Sequence, residues 1–188
     1  NGVRDNPTLC SNREFKFFKR KEGRTYSLPG WQFDASYAKG SKEPNRDDFE
    51  AGAVNQPKAE HLHDIEAGFT RRKGAFSWGA NFYYMLYRDQ LVLTGKVNDV
   101  GAYTRVNIPD SYRMGLELQG SGQFSKWLRA TANLTISRNK INNFTEFIDD
   151  YDNGGQITVA HSNTDIAFSP ALVGGATISI LPNSQSEI

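Results

Sequence analysis

Between Ala75 and Leu91 the chain alternates strictly. Phe76, Trp78, Ala80, Phe82, Tyr84 and Leu86 fall on one parity, and Ser77, Gly79, Asn81, Tyr83, Met85 and Tyr87 on the other. Successive side chains of a β-strand point to opposite faces, so a period of two predicts a strand with one apolar face. The alternation lasts for about a dozen residues, roughly twice an ordinary strand. A tilted strand crossing a bilayer needs about 9 to 11.

The pattern recurs. From Asp110 to Phe124, Tyr112, Met114, Leu116 and Leu118 alternate with Arg113, Gly115, Glu117, Gln119 and Ser121. From Trp127 to Lys140, Leu128, Ala130, Ala132, Leu134 and Ile136 are set against Arg129, Thr131, Asn133, Thr135 and Ser137. Ile65, Ala67 and Phe69 alternate with Asp64, Glu66, Gly68 and Thr70, and Trp31, Phe33, Ala35 and Tyr37 with Gln32, Asp34 and Ser36. The polar faces are too charged for a buried core. A weaker strand covers Leu172 to Leu181, and an opening one Glu14 to Ser27. The expected fold is all-β: an antiparallel up-and-down meander of about seven strands.

The connections alternate too. Leu28-Pro29-Gly30, Arg72-Lys73-Gly74 and Phe124-Ser125-Lys126 read as tight turns. Gly40 to Glu60, Thr94 to Pro109 and Asn142 to Asn163 read as long polar loops. Tight turns on one side and long loops on the other are the habit of an outer-membrane barrel, with turns in the periplasm and loops outside the cell.

Composition narrows the choice. The chain has 188 residues, of which 23% are charged, with a formal net charge of +1 and no basic stripe. Nucleic acid is therefore not an expected partner. One cysteine, Cys10, excludes a disulfide framework and a cysteine metal site. No window approaches about 18 uninterrupted apolar residues, which excludes helical membrane spans but not a barrel, whose alternation cancels the hydropathy average. The 12% aromatic content, with 8 Tyr, 12 Phe and 3 Trp, suits either interfacial rings or a dense β core. The start shows no leader pattern and the end trails off in LPNSQSEI, so a truncated piece is expected.

Three runs carry a resemblance: SYAKGSKEPNRDDF (Ser36 to Phe49), FYYMLYRDQLVLTGKVNDVGAYTRVNIPDSYRMGLEL (Phe82 to Leu118) and IAFSPALV (Ile166 to Val173). In this order they resemble TonB-dependent outer-membrane receptors of the Bacteroidetes, in the siderophore and vitamin branch, over most of Tyr26 to Leu181. They fit the second half of the barrel, with SYR opening the strand before the turn at Phe124 to Lys126. The resemblance implies a barrel of about 22 strands around a plug domain. It implies import of a scarce nutrient complex of the ferric siderophore, haem or cobalamin type, with energy passed from the inner membrane by TonB. Neither plug nor TonB box lies in this chain, so TonB would act only on the full-length receptor. No cofactor is implied.

One stretch departs from the family. Where relatives carry a less charged run, Phe17 to Tyr26 places Arg20, Glu22 and Arg24 on the face of Phe18 and Tyr26. Arg or Lys at the midplane of a barrel costs roughly 2 to 4 kcal/mol, falling toward zero at the interface. Either this strand sits near an interface, or its face has been altered to solubilise a fragment.

Signals for chemistry are weak. His61 and His63 with Glu60 and Asp64 suggest a metal site, but a solvated loop end entering a strand is the better reading. Asp149, Asp150 and Asp152 read as an acidic surface loop, not a calcium site. Gly120-Ser121-Gly122 opens no helix and is a turn approach. No nucleophile and base stand at a recognisable spacing, so no catalytic residue is assigned and an enzyme is not expected.

The expected division is a polar lead-in at 1–12, a partial barrel at 13–182 and a tail at 183–188. Glu66, Asn81, Arg113, Glu117 and Arg129 are expected to line a wet lumen against the plug. Tyr103, Phe144, Phe147 and Tyr151 are expected to contact the ligand from the loops, since rings with nearby polar groups suit bulky chelates. The apolar face is expected against outer-membrane lipid. Open strand edges predict a curled or collapsed sheet, or self-association. The rival reading is a soluble β-sheet binding module that takes carbohydrate or a protein through the same loops.

Overall fold

A computed structural model describes residues 14–51, 56–97, 101 and 103–180. The expected lead-in at 1–12 and tail at 183–188 lie outside the described residues. The chain forms one antiparallel sheet of eight strands: β1 (Arg20–Leu28), β2 (Trp31–Lys42), β3 (Glu60–Lys73), β4 (Phe76–Val97), β5 (Tyr103–Ser125), β6 (Leu128–Asp149), β7 (Gln156–Asp165) and β8 (Leu172–Ile180). Neighbours in sequence pair in order from β1 to β7, and β8 returns to β6. β1 lies at one end of this open sheet, and β7 and β8 lie at the other.

β7 and β8 are two halves of one crossing. β6 pairs with β7 through Lys140–Asp149 and with β8 through Leu128–Ile136. Ser137 to Asn139 on β6 therefore face the six residues from Ile166 to Ala171. Pro170 has no N–H to give a ladder, and Phe168 takes a positive φ of 56°. Ser137 rescues the break by donating its N–H to the Ala171 carbonyl (2.8 Å) and its hydroxyl to the Pro170 carbonyl (3.0 Å). The three extra residues also reverse the side-chain parity, which brings Leu172 and Ile178 onto the apolar face.

The tight turns stand where the sequence places them. At β1–β2, Pro29 presets its own φ and Gly30 takes a φ of 74°, which suits glycine. The register then aligns the apolar parities. One row runs Phe33, Phe69, Ala80, Leu118, Leu134, and the next Ala35, Ala67, Phe82, Leu116, Ile136.

This apolar face is the exposed one. Trp78 keeps 49% of its surface open, Phe82 42%, Ile136 49% and Ile178 68%. A two-layer interior would bury them, and the soluble sandwich is not favoured. Among the described residues the buried apolar side chains are Leu91, Ile108, Ile141 and Ile166, all toward the ends of the long hairpins. Rings gather at both limits of the apolar band. Trp31, Phe33, Phe69 and Trp78 stack and tilt at 5.4–6.4 Å near the tight turns, and Tyr84 meets Tyr112 at 6.2 Å toward the other end.

Two of the expected long loops are instead extended hairpins. β4 and β5 continue to Val97 and Tyr103, and β6 and β7 reach Asp149 and Gln156, so only short connections remain. These arms mix polar and apolar residues on both faces, as with Val92 and Ile108 beside Thr94 and Asn107, which hides their period. Gly40 to Glu60 keeps more loop character: β2 runs to Lys42, a 3₁₀ turn forms at Arg46–Ala51, and β3 begins at Glu60. The opening strand starts at Arg20, later than the alternation suggests.

The charged stretch of β1 sits inside the apolar rows. Arg24 pairs with Ala35 and Glu22 with Tyr37, while Arg20 pairs with Lys39 where the apolar parity of β2 ends. An interfacial position therefore accounts for Arg20 alone. Arg20 donates to Glu22 through Nε at 2.8 Å.

Candidate functional site

The polar face opposes this band and carries the expected lumen residues. Glu66, Asn81, Arg113 and Glu117 come from β3, β4 and β5 and line one hollow of about 420 Å³. The Phe168-Ser169-Pro170 break closes its far side. Arg113 holds that break by donating from Nη1 to the Ser169 hydroxyl at 2.7 Å. Tyr83 also lines the hollow, and a Cβ on Gly115 would meet its hydroxyl at 2.6 Å and the Ile136 carbonyl at 2.8 Å. The absent side chain lets the Tyr83 phenol lie across β5. On β3, opposite Met85, the buried Asp64 Oδ1 has no hydrogen-bond partner among the described residues. Arg129 stands apart near the β5–β6 turn, donating to Gln123 at 3.2 and 3.3 Å.

The hairpin ends form a second assembly. Val92 and Phe144 pack on a cluster of Ile108, Ile141 and Ile166. Gly95, at a φ of 82°, touches the backbone of Phe147 so closely that any Cβ would collide with its carbonyl. Gln156 secures the contact, donating from Nε2 to the Gly95 carbonyl (2.7 Å) and to Asp149 (2.8 Å). The expected ligand aromatics therefore divide. Phe144 is half-buried in the cluster and Phe147 lies under Lys96 Nζ at 5.7 Å, so both have packing roles. Tyr103 is 63% and Tyr151 92% exposed.

A third tie was invisible in sequence. Asp48 is 2% exposed and receives both Nε and Nη2 of Arg105 at 2.7 Å. It also accepts the Asn45 N–H at 2.7 Å. A two-pronged guanidinium contact to a buried carboxylate is the strong form of ion pair. It fixes the β2–β3 connection onto β5.

The weak signals resolve by position. His61 and His63 share the apolar face, bound to Ser41 (2.9 Å) and Tyr37 (2.7 Å), whereas Glu60 and Asp64 lie on the polar face, so the four cannot converge. Asp150 caps its own turn, accepting from the Asp152 N–H, the Asn153 N–H and Asn153 Nδ2, each at 3.1 Å. The Asn153 side chain, followed by these backbone donors, holds the Asp150 carboxyl below its ordinary value.

An unclosed meander that turns its apolar side chains outward is a section of membrane β-barrel wall. Residues 24–179 match the family described as TonB dependent receptor-like, β-barrel, and the chain belongs to it. This is a family of transport receptors, not of enzymes. No curated protein matches the sequence. Among solved structures, the fold is similar to the ferric enterobactin receptor PfeA of Pseudomonas aeruginosa in complex with enterobactin (TM-score 0.59, 15% identity, 88% of this chain and 26% of that one). It is similar also to the siderophore receptor PirA of Pseudomonas aeruginosa (TM-score 0.56, 16% identity, 86% and 32%) and the FrpB iron transporter of Neisseria meningitidis (TM-score 0.54, 15% identity, 87% and 32%). The chain thus spans about a third or less of the structures it matches.

Proposed function

We propose that this chain is part of the wall of a receptor in the bacterial outer membrane that imports a scarce nutrient complex. We place it in the Bacteroidetes siderophore and vitamin branch. The carrying observation is the open apolar face: large rings and aliphatic chains stand exposed on one side of the sheet while the other side is polar, the arrangement of a barrel with lipid outside and a wet lumen inside. Glu66, Asn81, Arg113, Glu117 and Arg129 line that lumen against a plug, and TonB acts on the full-length receptor. Tyr103 and Tyr151, at the free ends of the hairpins, contact the ligand. The neighbours named above handle iron or an iron chelate, which favours a ferric siderophore over haem or cobalamin.

The test is growth of a host lacking its own siderophore receptors and supplied with the receptor containing this stretch. Growth on a ferric siderophore as sole iron source, reduced by the double variant Tyr103→Ala and Tyr151→Ala, supports the reading. Failure to use any ferric siderophore, haem or cobalamin overturns it.

A further inference from the structure

We infer that the outward patch of Arg20, Arg24, Lys39 and His63 binds the phosphate headgroup of an anionic lipid in the leaflet nearer the long hairpins. This rests on the proposed lipid contact of the apolar face. The register sets Arg20, Lys39 and His63 side by side in one row across β1, β2 and β3. On β2 the outward parity below that row is Trp31, Phe33, Ala35 and Tyr37, so Lys39 stands where the apolar band ends. Arg24 lies two rows lower on β1, beside Ala35, whose own partner is Ala67. These small neighbours leave its own row open, and the guanidinium stem extends along the face past the Glu22–Tyr37 row so that its head meets a headgroup.

A cluster of cations distinguishes this patch from the rest of the hairpin-side belt, where Arg138 stands as a single outward cation on β6 opposite Met114. On the far side of the sheet, Lys140 is neutralised by Asp165 at 2.7 Å, and Arg88 stands opposite Asp110. On β1 the single carboxylate, Glu22, is taken by Arg20. Neither Arg24 nor Lys39 has a carboxylate partner in the described sheet. Phosphate oxygens accept charge-assisted bonds from both cation types, and strands about 4.8 Å apart set the three adjacent residues at a spacing one headgroup can bridge. A lipid phosphate is the occupant a membrane supplies at that depth.

The experiment is native mass spectrometry of the receptor containing this chain, released from micelles holding equal dioleoyl phosphatidylglycerol and dioleoyl phosphatidylcholine. The expected result is retention of phosphatidylglycerol several-fold over phosphatidylcholine. The double variant Arg24→Gln and Lys39→Gln should remove the preference, and the outward control Arg138→Gln should leave it intact. Equal retention of both lipids by the parent, or an unchanged preference in the double variant, overturns the inference. So does a protein captured by the parent and lost in the variant without any lipid preference. Quenching of Trp31 and Trp78 by brominated acyl chains reports separately on the lipid contact. Quenching without headgroup preference defeats the inference alone, and no quenching defeats the underlying reading.

Discussion

An arginine placed on each parity of β4 in turn separates membrane wall from soluble sheet. The outward apolar run on β4 extends from Phe76 to Leu86. At roughly 3.3 Å per residue and a tilt near 45°, it spans about 23 Å along the membrane normal, close to the apolar band of about 25 Å that such barrels present. Phe82 lies near its middle. Phe82→Arg should therefore cost roughly 2 to 4 kcal/mol when the receptor folds into lipid vesicles, a shift of roughly 30- to 850-fold in the folding constant. Asn81→Arg points into the polar hollow and should stay within about 0.5 kcal/mol. Urea titration in vesicles, followed by the gel mobility shift of the folded barrel, measures both. On a one-layer soluble sheet, with this face open to water, Phe82 would be an exposed site and its variant nearly silent. Equal costs at the two positions, or a larger cost at Asn81, would refute the assignment of faces.

Further outcomes follow from the hairpin end and the hollow. Asp48→Asn should cost about 3 kcal/mol locally, the low end for breaking a buried pair because Arg105 stays partly wet, and should speed hydrogen exchange at the Asn45 and Asp48 amides by about a hundredfold. Gly115→Ala should destabilise by about 1 to 3 kcal/mol through collision with Tyr83 and the Ile136 carbonyl, read as a lower urea midpoint. The Asp150 carboxyl titrates below its ordinary value of 3.8, so its turn gains stability above that pH and loses it as the pH falls through the lower folded value. Exchange protection at the Asn153 amide should fade over that acid range, and Asp150→Asn should abolish the dependence.

The legible part of the fold was what the solvent contrast writes into sequence. Phe76 to Leu86 and Leu128 to Ile136 must present grease to one side and polarity to the other, so their period survives as a pattern of letters. Beyond the band that contrast ends. Thr94, Lys96, Arg105, Asn107, Asn143 and Thr145 are polar whichever way they point, and strands carrying them pass for loops. Of the expected lumen residues, Glu66, Asn81, Arg113 and Glu117 share one hollow because parity and register together settle it. Arg129 shares the face but lies several rows away. The Asp48–Arg105 tie joins residues 57 apart, and no local rule links them. The break at Ile166 to Ala171 had a signal in Pro170, but its inward turn depends on Arg113 and Ser137, which only the folded sheet brings near.

The most direct test is a nitroxide scan along β4 from Trp78 to Leu86, one labelled cysteine at a time with Cys10 replaced, in the receptor reconstituted into bilayers. Even-numbered positions should be accessible to lipid-dissolved oxygen and odd-numbered positions to a water-soluble nickel reagent, alternating without interruption. Accessibility without that two-residue alternation, or with the phases exchanged, would contradict a wall whose apolar face meets lipid.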